Sequence, residues 1–492
     1  MASSSKLLAF LPLLLLSSSF VSRVALAAPD YSEALKKAIL FFEAQRSGKL
    51  PANQRVQWRG DSAVRDGSTA GVDLSGGYYD SGDNVKFGLP MAFTVTMLAW
   101  GAIEFGSQLQ AAEQLRLTEE AIRWGTDYLL KTHPEPNVVY AEVGAGASDH
   151  VCWQRPEDMT TPRTVAVVNQ DHPGSDLAGE TAAALAASSI VFRSSDAQYA
   201  HLLVTHAKQL FVFANNFKGR YSDSIPDART FYPSTSYDDE LLWAAAWLYH
   251  ATKEQQYLDY LHNANNIGGG QSYFSWDDKF VGAQTLVAKL VLQGKLAKEG
   301  RWQEYQQGAE GYICSCIQKG SFNIRRTPGG LLWWQDGNNL QYTSAATFIL
   351  VAYAGYLASA GGAPPLQCPG GAAKPTELVH FARSQVDYIL GQNPKSMSYM
   401  VGFGSSYPAQ VHHRAASIVS INHDPSPVGC SDGFSEWFNK DAPNPNVLVG
   451  AVVGGPDVND AYNGVRSNSA QTEPSTYTAG ALVGVLARLT AP

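Results

Sequence analysis

The chain has 492 residues, with 36 Lys and Arg against 44 Asp and Glu, a net charge of −8 and no basic run, which argues against nucleic acid or an anionic membrane as partner. Charged residues make up 16% and aromatics 11%, against roughly 25% charged in an average domain. Such a chain packs rather than staying disordered. Its aromatic excess suits a large core or a groove that stacks on flat apolar faces such as sugar rings.

Residues 1–27 carry Lys6, an apolar run from Leu7 to Leu16 and the small-residue stretch Ala25-Leu26-Ala27. This predicts a secretory signal peptide cut after Ala27, leaving 28–492 as one exported catalytic domain. The run is shorter than the about 20 residues a membrane span needs. No comparable run follows, so no span is expected, an uncleaved anchor being the alternative. Helical periodicity then takes over. Residues 31–48, YSEALKKAILFFEAQRSG, place Leu35, Ala38, Ile39 and Phe42 on one face and stop at Gly48. Similar stretches begin near Pro90, Leu117, Asp176, Asp196, Asp238, Glu254, Phe280, Arg301, Gln341, Pro375 and Ser475, which makes about twelve helices. Asp176 reads as the entry residue of the helix LAGETAAALAASSIVF.

The connections 46–89, 132–175, 215–237, 319–340 and 392–474 are rich in Gly, Pro, Asp and aromatics. They are too long to be idle, and long loops on a rigid scaffold are where function sits. Six helix pairs with elaborated loops at one end predict an all-α fold, an (α/α)6 barrel with an open cleft. A helical solenoid is the alternative, but no repeat of suitable period is visible. The stretch 361–375 reads as an exposed loop within the domain. Cys152, Cys314, Cys316, Cys368 and Cys430 allow one or two bridges and leave an odd thiol, free or intermolecular. No C-x-x-C pair suggests zinc, and no N-x-[ST] sequon follows the leader.

Three segments carry candidate chemistry. GGYYDSGDNVKFG (76–88) sets Asp80 and Asp83 three apart around Gly82, which suits a solvated turn, half a calcium loop, or two carboxylates that hold one water. Glu473 precedes Pro474 at the mouth of the last helix, in an extended conformation. It is either a catalytic acid on a groove rim or a partner for the positive helix end, worth about 0.3–1 kcal/mol. In PAQVHHRAAS (408–417), His412 and Arg414 share one side of an extended segment and His413 faces the other. That patch suits sugar hydroxyls or the orienting of a carboxylate; a metal site there lacks a third ligand at regular spacing.

GGYYDSGDNVK, CWQRPEDM (152–159), YDDELLWAAAWLYHAT (237–252), DGNNLQYTSAATFILVAY (336–353), DYILGQNPKSMSYMVGFG (387–404), VHHRAAS and QTEPSTY run in that order between Tyr31 and Leu489. Together they resemble the plant secreted β-1,4-endoglucanases of glycoside hydrolase family nine. The resemblance implies an (α/α)6 barrel, inversion at the anomeric carbon and no cofactor. It also implies roles: Asp83 as general base, Asp80 helping to hold the attacking water, Glu473 as general acid, and His412 with Arg414 contacting substrate and shaping the charge near the base. The partner it implies is a β-1,4-glucan, hydrolysed in the cell wall or apoplast by a chain expected to be monomeric.

Trp153, Trp333, Trp334, Tyr342 and Tyr477 are candidate sugar platforms, Tyr477 foremost, each with core packing as the alternative. Gly464, Ser469 and Ala479 stand where the family usually has Asp, Tyr and Asn around the acid. This leaves a weakly active or non-catalytic glucan-binding relative as one alternative and a xylan-directed hydrolase as another. Bacterial relatives bind calcium near the stretch matching Thr235 to Glu240; Ser236 replaces the usual glycine, so a calcium beside Asp239 stays open.

Overall fold

Two kinds of helix, sorted by which faces are apolar, set the architecture. In the computed structural model, which describes Met1 and residues 28–362 and 364–491, α1 (Tyr31–Ala44), α3 (Leu115–Thr132), α5 (Ala197–Asn216), α7 (Gln255–Asn263), α9 (Gly300–Cys316) and α11 (Pro375–Ile389) each bury one stripe. The intervening α2 (Gly88–Ala111), α4 (Ser175–Phe192), α6 (Asp238–Thr252), α8 (Phe280–Leu292), α10 (Leu340–Ser359) and α12 (Thr476–Thr490) are buried nearly all round. A helix apolar on every side must be surrounded, whereas an amphipathic one covers it and faces water.

The contacts follow that division. The inner helices pack in the closed order α2–α4–α6–α8–α10–α12 and back to α2, while each outer helix lies against the inner ring. This is the (α/α)6 barrel expected from the periodicity. At its centre Trp100 meets Trp243, Trp247 and Phe348 at centroid distances of 5.4, 5.7 and 4.8 Å. α2 is long and apolar enough to cross a membrane, which corrects the expectation that no comparable run follows the leader. Its most apolar window is 83% buried inside the protein, as an inner barrel helix requires. The expected signal peptide, Met1 apart, lies outside the described residues.

Six long connections, 45–87, 133–174, 217–237, 264–279, 317–339 and 390–475, each run from an outer helix to the next inner one. Adjacent helices joined by short links run antiparallel, so all six long connections emerge at one end of the barrel. The sequence reading named five of them and did not name 264–279. Among the described residues one small sheet lies between these connections, absent from the all-helical expectation: β1 (Lys86–Phe87), β2 (Val139–Val143) and β3 (Val165–Val168), antiparallel in that order, with Phe87 opposite Glu142. Strands this short leave no usable alternation in sequence. Asp176 is not the cap of α4 but a buried first-turn residue, whose Oδ1 accepts from the N–H groups of Leu177 and Tyr221, both at 2.8 Å.

Among the described residues, two disulfides tie distant segments together. Cys152–Cys430 joins the second long connection to the sixth, and Cys314–Cys368 ties the end of α9 to the 360–374 link. Cys316 is the odd thiol, buried and unbridged.

Candidate active site

The bend at 80–84 is the point where three distant segments meet. Gly82 has its N–H 3.1 Å from Glu473 Oε1, and its carbonyl accepts from the Arg414 N–H at 2.9 Å. No other residue fits there: a Cβ at position 82 would lie 2.1 Å from the His412 carbonyl oxygen and 3.0 Å from Glu473 Oε1. The bend therefore brings Asp80, Asp83, Glu473 and the 412–414 segment together through the backbone of one glycine.

Asp80 is fully buried. Its Oδ2 accepts from the Tyr232 hydroxyl and from Ser81 Oγ at 3.2 Å, while its carbonyl accepts from Thr476 N at 3.0 Å, locking it to the start of α12. Burial, with the Asp83 charge beside it, pushes the Asp80 carboxyl up to about 8. Asp83 is 7% exposed; Oδ1 accepts from Val85 N at 3.1 Å and Oδ2 lies 3.8 Å from His150 Nε2. Burial, then the neighbouring Asp149, raise it to about 6, against the pull of His150 and Arg414. Two like charges this close resist ionising together, so over the interval between these values Asp83 carries the charge and Asp80 the proton.

Glu473 adopts the extended conformation expected before proline (φ −83°, ψ 128°), with Pro474 bridged to Val453 and α12 starting at Thr476. It is partly buried, and burial raises its carboxyl above the ordinary value, opposed by the Gly82 N–H and the Arg414 guanidinium. His412 is also partly buried, with Nδ1 2.8 Å from the Arg466 carbonyl, so Nδ1 carries the proton and Nε2 is left to accept. Burial lowers it to about 4, which keeps the ring neutral. His413 faces the other way, as the alternation predicted, with Nε2 2.7 Å from Gln45 Oε1.

Other candidates sit differently from the sequence reading. The extended segment ends at His413, and Arg414 opens the short helix Arg414–Ser417, only 2% exposed. Its guanidinium is spent on the protein itself, with Nε on the Cys152 carbonyl at 3.1 Å, Nη1 on the Gly82 carbonyl at 3.2 Å and Nη2 on Asp149. Here it braces the bend and does not face the open cleft. Trp153 is likewise buried at 2%, its N–H donated to Ser417 Oγ at 2.9 Å, its ring under Arg414 and edge-on to His412 at 5.0 Å. It supports the site from beneath.

Tyr477 is 5% exposed, its hydroxyl accepting from Asn338 Nδ2 at 2.8 Å. Trp333 is partly buried with the Arg325 guanidinium 5.2 Å above its ring. Trp334 and Tyr342 are partly exposed and 5.8 Å apart, the Trp334 N–H donating to the Ser272 carbonyl at 2.6 Å.

The sequence reading missed Tyr232, which donates to Asp80, and Trp276, partly exposed and 4.9 Å from Tyr232. It also missed Asp149 and His150, although only Val151 separates them from the quoted CWQRPEDM stretch. Near Thr235–Glu240, Asp239 Oδ1 and Glu240 Oε2 are buried without a hydrogen-bond partner, while Lys279 Nζ stands 3.2 Å from Glu240 Oε1. Lys279, within reach of both Glu180 and Glu240, already supplies the positive charge there, and two unpartnered oxygens fall short of the about six to eight that a calcium ion takes.

An α/α barrel with a buried aspartate pair and a glutamate on a separate segment defines a carbohydrate-cleaving class of site. Residues 31–486 match the Glycosyl hydrolase family 9 profile, and the chain belongs to that family. Endoglucanase 13 of Arabidopsis thaliana is 61% identical over 93% of each chain, and endoglucanase 1 of rice (Oryza sativa subsp. japonica) is 56% identical over 94% of this chain and 73% of its own length. Among solved structures, the endoglucanase of the termite Nasutitermes takasagoensis is similar with TM-score 0.83 and 43% identity, covering 94% of this chain and 99% of that one. The cellulase Cel9M of C. cellulolyticum, in complex with cellobiose, is similar with TM-score 0.78 and 32% identity over 93% and 98% of the two chains.

Proposed function

We infer that the protein is an endoglucanase that hydrolyses internal β-1,4-glucosidic bonds of cellulose-like glucans by single displacement with inversion. The observation that carries this reading is the meeting of Asp80, Asp83 and Glu473 around Gly82. It supplies one charged carboxylate, a protonated neighbour and a separate acid at one place.

An inverting glycosidase needs a carboxylate to take a proton from water on one face of the sugar and a carboxylic acid to protonate the leaving oxygen on the other. Asp83 is the base, because His150 and Arg414 stand by its carboxylate and favour the charged form, whereas Asp80 lies fully buried beside the Asp83 charge. Asp80, held by Tyr232 and Ser81, fixes the water from its other side. Glu473, raised by burial, delivers its proton to the glycosidic oxygen as the bond breaks. Each turnover leaves Asp83 protonated and Glu473 ionised, and exchange with solvent resets both. His412, neutral and with Nε2 free, accepts a hydrogen bond from a sugar hydroxyl, while Trp276, Trp334 and Tyr342 offer partly exposed rings for glucose faces. The leader at residues 1–27 supports export to the cell wall.

The test is hydrolysis of carboxymethylcellulose by the mature protein beside Asp83→Asn and Glu473→Gln, with proton NMR of a cello-oligosaccharide digest. The α-anomer should form first, and both variants should fall by orders of magnitude. The β-anomer first, a fully active Asp83→Asn, or an inert wild type that still binds glucan would overturn the reading.

A further inference from the structure

A fourth carboxylate stands at the base without a role in the chemistry above. Asp149 ends the short helix Gly146–Asp149 and is 2% exposed. Its Oδ2 is 3.0 Å from Arg414 Nη2, and its carbonyl accepts from the same nitrogen at 3.1 Å. The Asn84 N–H, next in chain to the base, points at the same Oδ2 from 3.5 Å. Side-chain atoms of Asp83, Asp149 and His150 all lie within 4.8 Å of one another.

Asp149 has little freedom to leave. Gly146 N and Ala147 N donate to the Asp227 carboxylate at 2.6 and 3.3 Å, and three residues further on Cys152 is bridged to Cys430. We propose that Asp149 is a positioning residue for the base: it engages the Arg414 guanidinium and holds a second negative charge beside Asp83.

The physical argument concerns where Arg414 spends its charge. Facing Asp83 are Asp80 from its own bend, Glu142 from β2, Asp149 and His150 from the 146–150 segment, His412 and Arg414 from the 412–414 segment, and Glu473 from before α12. Arg414 is the permanent cation in that set. Unopposed, it would stabilise the Asp83 carboxylate and make it a poor proton acceptor. A base works best when its proton affinity is matched to the working pH. With Asp149 taking two contacts from Arg414 and repelling Asp83, the carboxylate keeps a higher affinity for the proton of water.

This inference rests on Asp83 being the base, so the experiment separates the two. kcat/KM is measured against pH on a neutral cello-oligosaccharide for the mature enzyme, Asp149→Asn, Arg414→Gln and Asp83→Asn. Asp149→Asn should move the acid limb down by about one pH unit and Arg414→Gln should move it up by about the same. Asp149→Glu should restore the limb. General loosening of the site does not displace a limb in opposite directions for two members of one ion pair. Asp149→Ser, which removes the charge but keeps an oxygen for Asn84, should reproduce the downward move and serves if Asp149→Asn does not fold. Limbs that stay put, or move the same way in both variants, overturn the role of Asp149 while an inactive Asp83→Asn leaves the base assignment standing. An Asp83→Asn enzyme of wild-type activity overturns the base itself.

Discussion

The carboxylate of Glu473 accepts a hydrogen bond from the backbone N–H of Gly82, the residue between Asp80 and Asp83, at 3.1 Å across 391 residues of sequence. The acid and the base are thus spaced by one peptide unit rather than by two independent loops. The bond also opposes the upward pull of burial on Glu473.

Gly82→Ala tests that spacing. The added methyl would meet the His412 carbonyl at 2.1 Å, and the backbone must move to admit it. A displacement near 1 Å at such a site costs about 100-fold in rate. We expect kcat on a cello-oligosaccharide to fall by that order, with a stability loss of about 1–3 kcal/mol in denaturant unfolding. Wild-type kcat in a folded Gly82→Ala protein would show that the bend tolerates a change in spacing.

Asp80 gives a prediction about stability with a definite sign. Its folded-state value, about 8, lies above the ordinary aspartate value of 3.8. A carboxyl raised on folding contributes stability below its unfolded value, and that contribution is lost as pH rises towards the folded one. Asp80→Asn removes a group that the fold resists ionising. Thermal unfolding at pH 8 should therefore show a higher Tm for Asp80→Asn than for wild type, with the gap closing towards pH 4. The same variant should lose activity. An equal or lower Tm at pH 8 would mean that the Asp80 charge is better accommodated than its burial implies.

Tyr232→Phe removes the hydroxyl that donates to Asp80 Oδ2 and leaves the ring packed 4.9 Å from Trp276. The water then loses a fixed partner while the cleft keeps its shape. kcat should drop about 10–100-fold with KM nearly unchanged, the pattern of an interaction made mainly in the transition state. A rise in KM at constant kcat would place Tyr232 in substrate binding alone.

The Cys152–Cys430 bridge spans 278 residues and lies three residues from Asp149. Cys152→Ser/Cys430→Ser should lower unfolding free energy by about 2–5 kcal/mol and reduce activity below the melting transition. Cys316→Ser, at the buried unbridged thiol, should leave kcat unaltered. Equal kcat for all three proteins would detach the bridge from the site.

Much of this is legible in the sequence. Leu35, Ala38, Ile39 and Phe42 mark α1 by their period, whereas Asp80, Asp83 and Glu473 read locally as turn and helix-end residues and stood out only through the family resemblance of the segments that carry them. What escaped has a common physical origin. Tyr232, Trp276 and Asp149 lie in connections without periodicity, and their importance comes from partners far away in sequence. Trp153 and Arg414 were recognisable as important, but nothing local distinguishes a ring under sugar from a ring under guanidinium. That depends on which side of the bend the chain passes, and the short helix at Arg414 turns it inward.

The alternation of short and long connections separates two kinds of sequence change. Links such as 193–196 and 293–299 lie at the end of the ring away from Gly82. Opening new chain ends at 293–299, with the old ones joined, would cut no segment that reaches the carboxylates. Permuted chains of this kind should fold to the same ring and keep their cleavage pattern. Grafting a loop into 317–339 would do the reverse, altering what is cut while leaving the scaffold's melting behaviour nearly intact.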